Sequence, residues 1–173
     1  MTYCSISMIL SDHSDAAYFN VSHSHIWAGD HIILSKDVPI PSINAPILTI
    51  AQIVKFVISS ATKAELTGLL IYSKDMVPLR QSLVEMVWPQ PRSPVQTKNS
   101  TELGVANKTI FPKRTKSMGM HFHWLCCCES KGHFRYNWYP RNTNIGNHIT
   151  KNHNSIYYEA HHPTHCNSVL YHV

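Results

Sequence analysis

Between Ile47 and Met76 the hydrophobic period of the chain changes abruptly, and this change restricts the fold more than any other feature. Ile47 to Val57 is rich in β-branched residues and reads as a strand. A few residues later the pattern becomes helical. Thr62-x-x-Glu65 has the form of a capping box, and Leu66, Leu69, Leu70 and Tyr72 to Met76 follow at roughly helical spacing. A strand of this kind leading into a helix with its own start signal calls for a mixed architecture, in which the helix buries its apolar face on a sheet.

The flanking segments supply the remaining elements. Met8 to Leu10 runs into Asp15 as a first strand, and Ile26 to Leu34 reads as a second, with an irregularity expected at Gly29-Asp30. Side chains alternate faces along a strand, so Asp12 and Asp15 point to opposite sides and only one can belong to a given site. The Pro39 to Pro46 stretch is a connection to the third strand. Pro78 cannot continue a helical hydrogen-bond ladder but suits a first turn, which predicts a break near Val77 and a second helix from Pro78 to Val87.

Trp88 to Pro94 then reads as a loop, Val95 to Thr97 as a short strand, and Ser100 to Asn107 as a short helix. A further helix is expected from about Thr115 to Ser130, ended by Gly132. In His133 to Tyr139 the alternation of Phe134, Tyr136 and Trp138 with Arg135 and Asn137 marks a strand with one buried face. Trp124, Trp138 and Phe134 are expected in the core. Asn142 to Val173 is rich in Asn and His and reads as irregular. The order β-β-β-α-α-β-α-α-β has no internal repeat and describes an α/β arrangement of hairpin strands followed by crossovers.

A chain of 173 residues, 43% hydrophobic and 14% charged, is long enough and apolar enough to bury a core. The predicted division is one domain over 1–155 and an irregular His-rich tail over 156–173. The formal charge of +5 suits a phosphate-rich partner without requiring one. Met1 to Leu10 lacks the basic start of a secretory signal, and the apolar stretch Pro46 to Ser59 is interrupted by Thr49, Gln52 and Lys55. The five cysteines, three of them contiguous at Cys126 to Cys128, do not form a disulfide framework. The expectation is an intracellular protein, cytoplasmic or nuclear, with no membrane partner.

Several short pieces occur in order along this pattern: Ser14-Asp15-Ala16-Ala17-Tyr18, Ser59 to Leu66, Asn99-Ser100-Thr101, Lys113-Arg114-Thr115-Lys116, His123-Trp124-Leu125, and Thr143-Asn144-Ile145-Gly146-Asn147 with Thr150-Lys151. Together they resemble the ribonuclease H domain at the end of copia-type retrotransposon polyproteins, over about residues 8–153. The resemblance implies a ribonuclease H-like fold, a mixed five-stranded sheet flanked by helices. It also implies cleavage of the RNA strand of an RNA–DNA hybrid by carboxylates that hold two Mg²⁺ or Mn²⁺ ions. Such ions need clustered oxygen donors to offset their charge.

Carried over position by position, Asp15 and Glu65 match the family's acids and would hold the metal. The third acid position is Lys98, in Thr97-Lys98-Asn99, and the fourth is Asn147, in Asn144-Ile145-Gly146-Asn147. Gly119 and Cys126 to Cys128 also depart from the family pattern, and Glu102 lies one helical turn beyond Lys98. An ammonium about 5 Å from a divalent ion is repelled by roughly 6–7 kcal/mol at an effective dielectric near 20. With two of four acids replaced, the resemblance implies an inactive copy. Asn99, Ser100, Lys113, Arg114 and Lys116 would contact nucleic acid, Asn99 in the minor groove where 2′-hydroxyls distinguish RNA.

Two other readings remain open at this point. One is a non-catalytic nucleic-acid-binding module that keeps the basic surface. The other is a small zinc-binding interaction protein built on His121, His123 and Cys126 to Cys128. On a helix His123 and Cys127 share a face, but three adjacent cysteines cannot all reach one ion. Polar capping and turn roles also account for Asp15 and Glu65 taken singly. Oligomeric state is not encoded in any of these patterns.

Overall fold

The β-branched runs and alternating segments form five strands in one sheet: β1 (Ile9–Ala17), β2 (Ile26–Ser35), β3 (Pro46–Val54), β4 (Ser93–Thr97) and β5 (Phe134–Trp138). The helices are α1 (Ala61–Glu85), α2 (Gly119–Ser130) and α3 (Asn147–Thr150). The structure is a computed structural model. It describes residues 8–17, 26–36, 46–55, 60–98, 103–104, 107, 119–140, 146–151, 155–156 and 159, with the backbone only at Gly119, Asn147 and His148.

The strand order is β3-β2-β1-β4-β5. β1, β2 and β3 pair antiparallel, as consecutive strands joined by short connections can, while β4 and β5 run parallel to β1. This is the mixed five-stranded sheet flanked by helices that the resemblance implies. Because β1 and β4 are parallel neighbours, their carboxyl ends lie at the same end of the sheet.

α1 covers one face. Its Leu66, Leu69, Met76 and Leu83 join Leu10, Ile32, Val95, Leu125, Phe134 and Tyr136 in one buried cluster. Ala64 and Tyr72 join Ala16, Ile26, Ala28 and Val54 in a second. Leu10, Ile32, Tyr72, Met76 and Phe134 are completely buried, and at about 25 cal/mol per Å² such side chains supply most of the stabilisation. α2 is closed by Gly132, two residues past its end, whose positive φ of 74° lets the His133 N–H turn back to the Cys128 carbonyl at 3.0 Å.

Some local expectations change. Pro78 does not break the helix: α1 runs through it as one element. The missing N–H weakens one turn, but Met76, Arg80 and Leu83 on either side are buried, and tertiary packing outweighs that local loss. The N-cap is Ser60, whose side chain accepts from the Lys63 N–H at 3.3 Å, so Glu65 is not held in a capping box with Thr62. The sheet irregularity lies at Ile32/Ile33 against β3, whereas Gly29 and Asp30 are regularly paired.

Trp138 is 52% exposed, unlike Phe134 and Tyr136, because β5 is the edge strand and its end projects past the core. Its indole N–H donates to the Lys98 carbonyl at 3.1 Å. Of the short helix expected over Ser100 to Asn107, Leu103 and Gly104 are helical, and the Asn107 N–H reaches the Leu103 carbonyl at 2.9 Å. Asn99, Ser100, Glu102, Lys113, Arg114 and Lys116, and nearly all of the expected tail over 156–173, lie outside the described residues. Among the described residues, no helix is long and apolar enough to cross a membrane.

Candidate functional site

The parallel pairing of β1 with β4 sets the geometry of the site. Asp12 pairs with Val95 and His13 with Gln96, so continuing the register brings Asp15 level with Lys98 just beyond β4. The end of β1 is held from two sides. The Ser14 hydroxyl donates to the Gln96 carbonyl at 3.1 Å, and the Tyr72 hydroxyl of α1 donates to the Asp15 carbonyl at 3.2 Å. The Lys98 segment is tied to β5 by the Trp138 indole and by the Tyr139 N–H, which donates to the Thr97 carbonyl at 2.9 Å. Open α/β sheets commonly bind ligands at strand carboxyl ends, and this end carries a small cleft lined by Asp15, Glu65, Leu69, Tyr72, Thr97 and Lys98.

Among the described residues, four charged groups meet there. The Lys98 ammonium contacts Asp15 Oδ1 directly and lies 3.9 Å from Glu65 Oε1. Lys151 Nζ lies 3.6 Å from Asp15 Oδ2, and the Thr150 hydroxyl donates to the same oxygen. The Asp15 carboxylate is completely buried, while the side chains of Lys98, Glu65 and Lys151 are 13%, 16% and 22% exposed. Two carboxylates thus face two ammonium groups, and both Asp15 oxygens have donors from the protein itself.

The approach of α3 depends on Gly29. Gly29 pairs with Asp15 across β1 and β2, and a Cβ on it would stand 2.6 Å from Thr150 Cγ2 and 3.1 Å from Ile149 Cβ. Without a side chain there, α3 can lie against the sheet and deliver Thr150 and Lys151 to Asp15.

The structure brings Asp15, Glu65 and Lys98 together at this end of the sheet. Asn147 opens α3, three positions before Thr150, and so belongs to the element that covers the same end. Thr150 and Lys151 are additional site residues not assigned by sequence reasoning. Both stand in a segment that carries the resemblance, but nothing in their spacing announces a contact with Asp15.

These residues do not fit a divalent ion. Mg²⁺ requires near-octahedral oxygen donors carrying net negative charge. Here Lys98 occupies Oδ1 of Asp15, Thr150 and Lys151 occupy Oδ2, and among the described residues the two carboxylates already face two ammonium groups. Among the described residues, no group of three or more His, Cys, Asp or Glu could hold a metal, at this end or near His123 and Cys127.

Beside the site, His13 is buried with neither ring nitrogen hydrogen-bonded, its edge against the Tyr139 ring at 5.8 Å between centroids. Burial lowers its pKa from 6.5 to about 4, which keeps the imidazole neutral. Cys128 is pushed up to about 11, chiefly by burial and then by Cys127, so it is a thiol at neutral pH rather than a thiolate ligand or nucleophile.

No family model matches the sequence, and no curated protein does. Solved structures do match. The N-terminal RNase H domain of rv2228c from Mycobacterium tuberculosis, fused to maltose-binding protein, aligns with a TM-score of 0.59 at 14% identity, covering 83% of this chain and 91% of that one. LC11-RNase H1 in complex with an RNA/DNA hybrid aligns with a TM-score of 0.59 at 10% identity, covering 81% and 92%. A second structure of LC11-RNase H1, isolated from compost by a metagenomic approach, gives 0.59 at 11% identity, covering 82% and 92%. The fold of the chain is therefore ribonuclease H-like.

Proposed function

We propose that the chain is a degenerate ribonuclease H-like domain of the copia retrotransposon type, which binds nucleic acid and does not hydrolyse it. The observation that carries this reading is the Lys98 ammonium between Asp15 and Glu65, where the family arrangement needs divalent metal. In this reading Asp15 and Glu65 are the surviving acids, and Lys98 and Asn147 stand at the lost positions. Activation of water at a phosphodiester has no place in such a site, because the groups that would hold metal are neutralised from within.

The partner is an RNA–DNA hybrid or a related nucleic acid. Support comes from the fold shared with a hybrid-bound neighbour and from the basic excess of +5. Asn99, Ser100, Lys113, Arg114 and Lys116 are the proposed contacts. Binding of this kind rests on phosphate neutralisation, so affinity falls steeply with salt and is indifferent to chelators. We assign the domain to residues 1–155 and treat 156–173 as a separate tail.

The test is an RNA–DNA hybrid cleavage assay with Mg²⁺ and with Mn²⁺, alongside hybrid binding in a chelator, for the unmodified chain and for Lys98→Asp combined with Asn147→Asp. The expected result is salt-sensitive binding by both, and metal-dependent cleavage by the double variant alone. Cleavage by the unmodified chain overturns the loss of activity. Absence of hybrid binding by the unmodified chain overturns the assigned partner.

A further inference from the structure

Asp12 and Asp30 are buried together in the core between the sheet and α1, away from the Asp15 site. Both are completely buried, and no hydrogen bond of good geometry reaches any of their four carboxylate oxygens. The register places them: Asp12 pairs with Ile32 and Ser14 with Asp30, so the two aspartates are diagonal neighbours on one face. That face also carries Leu10, Ala16, Ala28 and Ile32, which pack under α1.

Across this diagonal each carboxyl group acts on the other. From α1 the charge of Asp75 acts on Asp30, and from β5 the Tyr136 phenol faces Asp12, with Ser73 of α1 beside its hydroxyl. Cys126 and Cys128 of α2 act on Tyr136, and the His31 backbone N–H favours the charged form of Asp30. Among the described residues no cation acts on the pair.

Two ionised carboxylates are acceptors only, so in contact they repel each other and neither can donate. One proton removes both difficulties, because a protonated carboxyl becomes the donor to its neighbour. We propose that Asp12 and Asp30 form a proton-sharing acid pair, and that loss of its proton loosens α1 from the sheet, so that mild acid tightens the fold and alkali weakens it. The pair lies beneath the helix that delivers Glu65, and the proposal stands independently of the functional reading above.

The direction follows from linkage. Burial is the largest influence on both groups, raising Asp12 to about 6 and Asp30 well above the ordinary carboxylate range. In the unfolded chain both ionise near pH 4. An acid raised on folding costs the native state nothing below that pH. Its cost grows as pH rises and is complete above the folded-state value. Asp12 completes its share near pH 6, and Asp30 continues the loss beyond it.

The test is denaturant unfolding of the full chain between pH 7 and 9, above the range in which histidines titrate, for the unmodified protein and for Asp30→Asn. The folding constant of the unmodified chain should fall by up to about tenfold per pH unit until the pair is fully ionised. In Asp30→Asn an amide donor replaces the shared proton, and that loss should disappear. Equal slopes in the two proteins overturn the proposal. Should Asp30→Asn not fold, infrared spectra of the unmodified chain with isotopically labelled aspartate decide the matter. A protonated-carboxyl band at pH 7 supports the shared proton, and its absence overturns it.

Discussion

The Lys98 ammonium stands on the Asp15 carboxylate where β1 and β4 end side by side. A cation that the chain carries covalently thus sits against a fully buried carboxylate at the end of the sheet. The consequence is energetic as well as chemical. Among the described residues, Lys98, Lys151 and Thr150 offset the burial of the Asp15 charge.

Lys98→Ala should destabilise the fold by about 3 kcal/mol, the low end for breaking a buried pair, because Lys151 and Thr150 still face Asp15. Urea unfolding measures this. Mg²⁺ should then raise the Tm of the variant and leave that of the unmodified chain unchanged, since the variant alone loses the ammonium from Asp15 Oδ1.

Gly29→Ala should push α3 off the sheet. The added Cβ meets Thr150 Cγ2 at 2.6 Å and Ile149 Cβ at 3.1 Å, which is overpacking at a cost of about 1–3 kcal/mol. Unfolding curves give the energy. Amide exchange should show faster opening in 147–151 than in α1.

Buried His13 makes the fold sensitive to acid. Its pKa is lowered from 6.5 to about 4, so as pH falls through 6.5 the unfolded state takes up a proton that the native state refuses. Its contribution is intact above pH 6.5 and lost progressively down to about pH 4, amounting to about 3 kcal/mol. The Asp12–Asp30 pair acts in the opposite direction over part of this window, so the unmodified chain alone shows only the difference. His13→Leu removes the histidine contribution, and the change in slope between pH 4 and 6.5 isolates it.

Pro78→Ala should stabilise the fold by up to about 3 kcal/mol, restoring an N–H to a helix that already runs through this position. Thermal unfolding measures it. A destabilised variant would show that the Pro78 ring contributes packing that outweighs the missing hydrogen bond.

The elements were largely legible in the sequence because their signals are local. β-branched runs, alternation around Tyr136, and helical spacing after Ser60 each draw on a few neighbouring residues. The errors arose where distant packing overrode a local signal. Pro78 reads as a break and does not act as one, because buried residues on either side of it hold α1 in place. Glu65 completes a capping box on paper, yet the cap is Ser60 and the glutamate is near Lys98. Trp138 alternates correctly with Phe134 and Tyr136 but lies past the core at the end of an edge strand.

What the sequence by itself determined is the place of the five strands, the helical stretches around Leu66 and Leu125, and the opposition of Asp12 and Asp15 across β1. Only the tertiary structure decided which charged groups meet at Asp15. Register across parallel strands sets Lys98 on Asp15, a missing side chain at Gly29 admits α3, and Thr150 reaches Asp15 across 135 residues of chain. Register also turns Asp12, an unremarkable strand acid in sequence, into one half of a buried pair with Asp30. The physical reason is the same in each case. Propensity and alternation are properties of neighbouring residues, whereas the balance of buried charge depends on which groups the completed fold brings within a few ångströms of one another.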